Sequence, residues 1–182
     1  MHLSQPLNAR GFTLIEVVVV LALLGALAVF AASRFLGTAG FAEYAYQVRA
    51  VSALRAMQQR AMQDSRPSYC FQINFIPSAS GNPAFGPPSV DYAPGNAAAT
   101  CATSIDFSGP EYLRTDSDEM TGDDITLDII NGGNTNQTLI GFDTLGRPFT
   151  DEGACASGCR ITISNELTAT VCVESQGYIH AC

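Results

Sequence analysis

From Phe12 to Ser33 the chain runs for 22 residues with a single charge, Glu16, and this run constrains the fold more than anything else in the sequence. As a helix rising about 1.5 Å per residue it reaches roughly 33 Å, enough to span the hydrocarbon core of a bilayer. No Pro interrupts the run and Gly25 is its only Gly, so an unbroken helix is expected. Glu16 stands out against that background, because a carboxylate in a membrane-spanning helix costs on the order of 2.5–3.5 kcal/mol and needs a partner. The run holds no positive charge. One reading keeps Glu16 hydrated at the level of the headgroups. The other supplies a cation by cleavage after Gly11, which would put an α-amine on Phe12. With a pKa of roughly 7.7–8.0, much of that amine stays protonated at neutral pH. A neighbouring helix shifted along its axis would then bring its amine onto this carboxylate.

The order Arg10-Gly11-Phe12-Thr13-Leu14-Ile15-Glu16, followed by Val, Leu and Ala, closely resembles the leader and N-terminal segment shared by type IV pilins and type II secretion pseudopilins. The resemblance implies a prepilin peptidase that cuts between Gly11 and Phe12 and N-methylates Phe12. It implies that Glu16 guides subunits into a helical filament, with other pilin subunits and an inner-membrane assembly platform as partners. It covers about the first 25 residues. Many family members have Pro where this chain has Ser33 within Ala31-Ala32-Ser33-Arg34-Phe35; without that Pro, helix melting during assembly would fall to Gly37 and Gly40.

A secretory signal peptide ending near Ala26-Leu27-Ala28 competes for the same segment. The apolar run is long for such a peptide, however, and opens with a carboxylate that a signal peptide does not need. Arg10 and His2 with no acid in the leader keep that end cytoplasmic. The expected location is the bacterial inner membrane, crossed once, with the C-terminal domain in the periplasm and later in a pilus or pseudopilus. All nine basic residues are Arg, against 17 acids, so a nucleic-acid partner would lack its main electrostatic attraction. Six Cys in an exported domain favour disulfides. Cys70, Cys101, Cys155, Cys159, Cys172 and Cys182 allow 15 pairings; pairing in order of sequence joins 70 to 101, 155 to 159 and 172 to 182.

Past the apolar run, Phe35 to Gln63 reads as an amphipathic helix with Phe41, Tyr44, Val48, Val51, Leu54, Met57 and Ala61 on the packing face, ended by Arg66-Pro67. Tyr69 to Phe75 alternates as a half-buried strand does, with Phe71, Ile73 and Phe75 inward. Residues 76–103, rich in Pro, Gly, Ala, Ser and Asn, read as a long surface loop. Ile125–Ile130, Thr138–Phe142, Arg160–Ser164, Thr168–Val173 and Tyr178–Ala181 read as short strands joined by turn formers, which favours antiparallel pairing. The expected fold is α+β: a long N-terminal helix, its first half transmembrane, packed on antiparallel sheet. The divisions are a leader at 1–11, a filament-core helix at 12–33, its amphipathic continuation at 34–66 and a disulfide-linked head at 67–182. The C-terminal succession Leu139–Pro148, Ile161–Ile163, Val171–Val173 and Gly177–Ile179 looks like the end of minor pseudopilins of the type II secretion H class. The Ala-Ala-Ser-Arg-Phe-Leu stretch and Cys-rich tail look more like minor pilins of the mannose-sensitive haemagglutinin (MSHA) system.

No phosphate loop, zinc-protease helix or nucleophile elbow appears, and His180, at the end of the chain, is the sole histidine outside the leader. The chain is therefore expected not to be an enzyme, to need no cofactor and to hold no metal; Asp143, Asp151 and Glu152 are the acids an enzymatic reading would have to use. Asp116, Asp118, Glu119, Asp123 and Asp124 are five acids among nine residues, but the Gly an EF-hand needs at the sixth position comes one place late, at Gly122. A solvated acidic turn fits better than a calcium loop. The functional expectation is a minor pilin or pseudopilin, with adhesion or substrate binding through the 76–103 loop as the alternative.

Overall fold

The computed structural model describes residues 13–35, 41–64, 66–90, 92–93, 95 and 100–182, with side chains except at 29–35 and 154. It divides into two compact units, Met1–Thr38 and Ala39–Cys182. The first holds helix α1, Leu14–Phe35. The second opens with α2, Ala42–Gln63, so the amphipathic helix belongs with the β-rich part. The Gly37 and Gly40 invoked for melting lie outside the described residues.

Among the described residues nine strands follow α2 and form two antiparallel sheets rather than one. The first sheet contains β1 (Gln72–Ile76), β2 (Ala84–Gly86), β4 (Leu139–Phe142), β5 (Pro148–Thr150) and β6 (Gly153–Ala154), in the order β2-β1-β4-β5-β6. The second contains β3 (Thr126–Asn131), β7 (Cys159–Ser164), β8 (Thr168–Val173) and β9 (Ile179–Ala181), in the order β3-β7-β8-β9. In this second sheet burial follows the two-residue period of a strand. Leu127, Ile129, Ile161, Ile163, Val171 and Val173 point inward, while Thr126, Asp128, Arg160 and Thr168 face water. Helix α2 packs across both sheets, on β1, β4, β8 and β9. Its Ala50, Ala53 and Ala61 are buried beside Leu54 and Met57, and these small residues let the helix backbone approach the strands closely.

The two sheets are tied by specific polar contacts. The side-chain amide of Gln58 on α2 donates to the carbonyls of Gly146 (2.8 Å) and Gly177 (2.6 Å). Those glycines sit in the β4–β5 and β8–β9 turns, so one side chain holds a turn from each sheet. Gly177 has φ +90°, and a Cβ there would lie 2.2 Å from the Gly146 carbonyl oxygen; only Gly fits both demands. Disulfides join Cys70–Cys101, Cys155–Cys159 and Cys172–Cys182, the pairs that follow sequence order. Closing the loop between Cys70 and Cys101, 31 residues apart, contributes roughly 3–4 kcal/mol in the chain-entropy view.

Several sequence expectations are corrected here. On α2, Phe41 (71% exposed), Tyr44 and Val48 (68%) face outward, and the buried side runs through Glu43, Tyr46, Gln47, Ala50, Ala53, Leu54, Met57 and Ala61. The steps from Phe41 to Ala61 average fewer residues than a helical turn, so the expected stripe winds about 160° around the axis; only its second half meets the core. The segment 76–103 is not a surface loop throughout. Ala84–Gly86 pairs with β1, and Ala84 and Phe85 are fully buried. Strand β1 is covered on both faces rather than half-buried. Its polar side is satisfied by Asn74 Nδ2 donating to the carbonyls of Ala102 (2.9 Å) and Ser104 (3.0 Å).

Candidate functional site

The sequence places the candidate site at the start of α1. Gly11 and Phe12, the expected cleavage and methylation positions, lie outside the described residues. Thr13 precedes the first helical residue, and its Oγ1 accepts the Glu16 N–H at 3.3 Å, as a Ser or Thr N-cap does for the third residue of its helix. Thr13-Leu14-Ile15-Glu16 also has the spacing of a capping box, a signal the sequence reading passed over. Residue 16 thus lends its backbone amide to the start of the helix and carries the charge that the apolar run makes conspicuous.

Behind Glu16, every described side chain of α1 from Leu14 to Ala28 is exposed, Leu14 by 83% and Ile15 by 67%. A helix apolar all the way round is not finished by folding alone. Burying each Leu, Ile or Val is worth roughly 1.5–3 kcal/mol, so this surface demands lipid or neighbouring helices. No helix among the described residues is long and apolar enough to cross a membrane; the described side chains of α1 stop at Ala28, about 22 Å from Leu14.

At the start of α2, Glu43 is fully buried. Its Oε1 accepts the Leu167 N–H, in the β7–β8 turn, at 2.9 Å, and Oε2 has no hydrogen-bond partner. The Leu167 amide is the main cause that holds the Glu43 carboxyl below its usual range; burial opposes it, and the amides of Glu43 itself, Glu166 and Asn165 reinforce it. Since the folded pKa is depressed, the stability from charged Glu43 is complete above its ordinary value of 4.5 and is lost as pH falls through the lower folded value. Glu43→Gln is expected to destabilise the protein at pH 7 by about 1–3 kcal/mol. The difference from wild type should shrink towards pH 3, as read from denaturant midpoints across that range; a constant gap would show that the charge contributes nothing.

The acidic segment keeps Asp116, Asp118, Asp123 and Asp124 exposed, and contacts from α2, Asn82 and Arg114 tie it to the fold. It contains the short helix α3, Glu119–Gly122, whose Met120 is fully buried. Arg49 pairs with Glu119 at 2.7 Å, Tyr46 Oη donates to Asp123 at 2.7 Å, Asn82 donates to Asp118 at 2.8 Å, and Arg114 pairs with Asp116. Burial, followed by the Asp123 bond, pushes the Tyr46 hydroxyl well above its usual range. Among the described residues no group of three or more His, Cys, Asp or Glu is arranged to hold a metal.

Each of the remaining candidate acids has a partner of its own. Burial raises the Asp143 carboxyl, but bonds from the Arg147 and Leu145 amides and the Arg147 guanidinium outweigh it and keep it below the usual range. Asp151 accepts the Thr138 hydroxyl at 2.9 Å, and Glu152 lies 3.5 Å from Gln137 Nε2. His180 is half-buried rather than simply exposed; it stacks on Tyr178 with ring centroids 4.7 Å apart and meets Glu174 at 3.2 Å.

A family model described as the prokaryotic N-terminal methylation motif matches residues 7–32. Neither the curated proteins nor the solved structures give a match to this chain. The matched segment contains Gly11, Phe12, Glu16 and most of α1, and it supports a type IV pilin-like protein, a structural subunit processed at a prepilin-type N-terminus.

Proposed function

We propose that this chain is a minor pilin or pseudopilin: prepilin peptidase removes residues 1–11, Phe12 becomes the methylated N-terminus, and α1 anchors the subunit in the inner membrane before entering a filament core. The observation that carries this reading is the apolar surface of α1, exposed from Leu14 to Ala28 behind a single carboxylate. Such a surface suits lipid first and a bundle of like helices afterwards. Glu16 would then accept the Phe12 amine of a neighbouring copy. Phe41, just before α2, and Tyr44 and Val48 on it face outward and offer the second unit an apolar surface of its own for neighbouring subunits. The reading serves an MSHA-like pilus and a type II secretion pseudopilus alike, since the resemblance implies the same N-terminal helix in both.

The test is the N-terminus of the protein extracted from membranes. Sequencing and intact mass are expected to show a chain beginning at Phe12 and heavier by one methyl group. A chain still beginning at Met1, or beginning beyond Ala28, overturns the proposal.

A second reading, binding through the 76–103 segment, is narrowed by the burial of Ala84 and Phe85. Among the described residues of the segment, 79–82, 89–90, 95, 100–101 and 103 are exposed and open to a ligand.

A further inference from the structure

At the C-terminal end of α2 an open groove of about 540 Å³ is floored by Phe71, Tyr92 and Pro110 and edged by Arg60. Its volume lies within the range of small-molecule sites. The guanidinium carbon of Arg60 lies 5.7 Å from the centre of the Tyr92 ring, and one Arg60 nitrogen donates to Tyr112 Oη at 2.8 Å.

Charge and an apolar floor meet in this groove. Arg49, Arg66, Arg114 and Arg147 each meet a carboxylate. Arg60, like Arg55 and Arg160, meets none among the described residues, and of these three it is the one that lines the groove. Asp64, on the same rim, is committed to Arg66 through two bonds, and Arg66 lies over the Tyr69 ring at 4.3 Å. Asp106, behind Tyr92, accepts the Tyr92 hydroxyl at 3.3 Å and is held by the Ser108 hydroxyl and amide. A guanidinium in the last turn already complements the helix dipole, but that role needs neither an apolar floor nor an open face. In a chain of net charge −8, a guanidinium that meets no carboxylate among the described residues and lies beside two aromatic rings is a local site for an anion.

We propose that this groove binds an organic carboxylate joined to a flat apolar group, with the carboxylate on Arg60 and the apolar part against Phe71, Tyr92 and Pro110. Arg offers planar N–H donors that match a carboxylate, and the rings supply contact area for the attached group. Because Tyr92 and Ala93 come from the segment after Pro88, the site gives that segment a ligand class without depending on filament assembly.

The experiment is calorimetric titration of the detergent-solubilised, disulfide-intact full chain with N-acetyl-L-phenylalanine and with its uncharged amide. The acid is expected to bind at least about tenfold more tightly than the amide, a difference of about 1.4 kcal/mol, and more weakly as salt is raised. Arg60→Gln should remove that preference while its far-UV spectrum and entry into filaments stay as in the wild type; Arg55→Gln, on the same helix, should leave it intact. Benzoate against a Phe-terminated tripeptide acid distinguishes a free aromatic acid from a peptide terminus as the natural source. Equal affinity of wild type for acid and amide, absence of binding, or an Arg60→Gln protein that keeps the preference overturns the proposal. None of these results bears on whether the chain begins at Phe12, so the two readings fail independently.

Discussion

Replacing Glu16 by Gln will leave α1 capped and the head folded, yet cut incorporation into filaments by roughly two orders of magnitude. The substitution separates the two roles the structure gives this residue. Gln serves the third position of a capping box as Glu does, and the bond from the residue 16 amide to Thr13 Oγ1 does not involve the side chain. What Gln removes is the charge. If Glu16 meets the Phe12 amine of a neighbour away from water, taking away one member strands the other, which costs about 3–5 kcal/mol, two decades or more at 1.4 kcal/mol per decade. The measurement is the ratio of filament-associated to membrane-retained protein, with circular dichroism of the purified chain as the control. Normal incorporation of the Gln variant would reduce Glu16 to a helix-starting residue and remove the electrostatic part of the assembly proposal.

Phe85→Ala is expected to cost about 3–5 kcal/mol of stability, a large share of the 5–15 kcal/mol typical of a domain. Phe85 is fully buried and lies 6.2 Å from Phe75, centroid to centroid. Its backbone bonds to Thr115 in both directions, with its amide donating to Oγ1 at 3.2 Å and its carbonyl accepting the Thr115 N–H at 2.9 Å. Val90→Ala, a few residues on and half exposed, should stay within about 0.5 kcal/mol of wild type. Denaturant unfolding of both variants checks the contrast. A Phe85→Ala protein within 1 kcal/mol of wild type by that measure, on the scale of an ordinary surface change, would place this segment outside the core.

That contrast also shows why β2 was not legible in the sequence. Phe85 stands among Gly, Pro, Ala, Ser and Asn, whose turn preferences dominate any local reading. A three-residue strand carries too little alternation to be heard against them. Its place is set by the β1 edge it pairs with and by Thr115, 30 residues away in sequence. Strands β3, β7 and β8 of the second sheet were legible because each has six residues and buries one face only, leaving a clear period of two.

The N-terminal half of the candidate site could be read because its chemistry is local: a charge inside an apolar run, and Gly and Phe beside it, are anomalous whatever surrounds them. The groove at Arg60 could not be read that way. Arg60, Phe71 and Tyr92 are individually ordinary, and only the end of α2 lying against the segment closed by Cys70–Cys101 makes them neighbours.

The sequence by itself determined that α1 is an apolar helix with one carboxylate near its start, that an amphipathic helix and antiparallel strands follow it, and that six cysteines sit where bridges between sequence neighbours can close. Only the tertiary structure decided which side of α2 faces inward. Periodicity shows that a helix has an apolar stripe, but the stripe that is buried is the one its partner can cover. The strands needed the small Ala50 and Ala53 to come close, accepted Glu43 and Gln47 because the amide of Leu167 and the carbonyl of Thr170 were there to meet them, and left Phe41, Tyr44 and Val48 facing out.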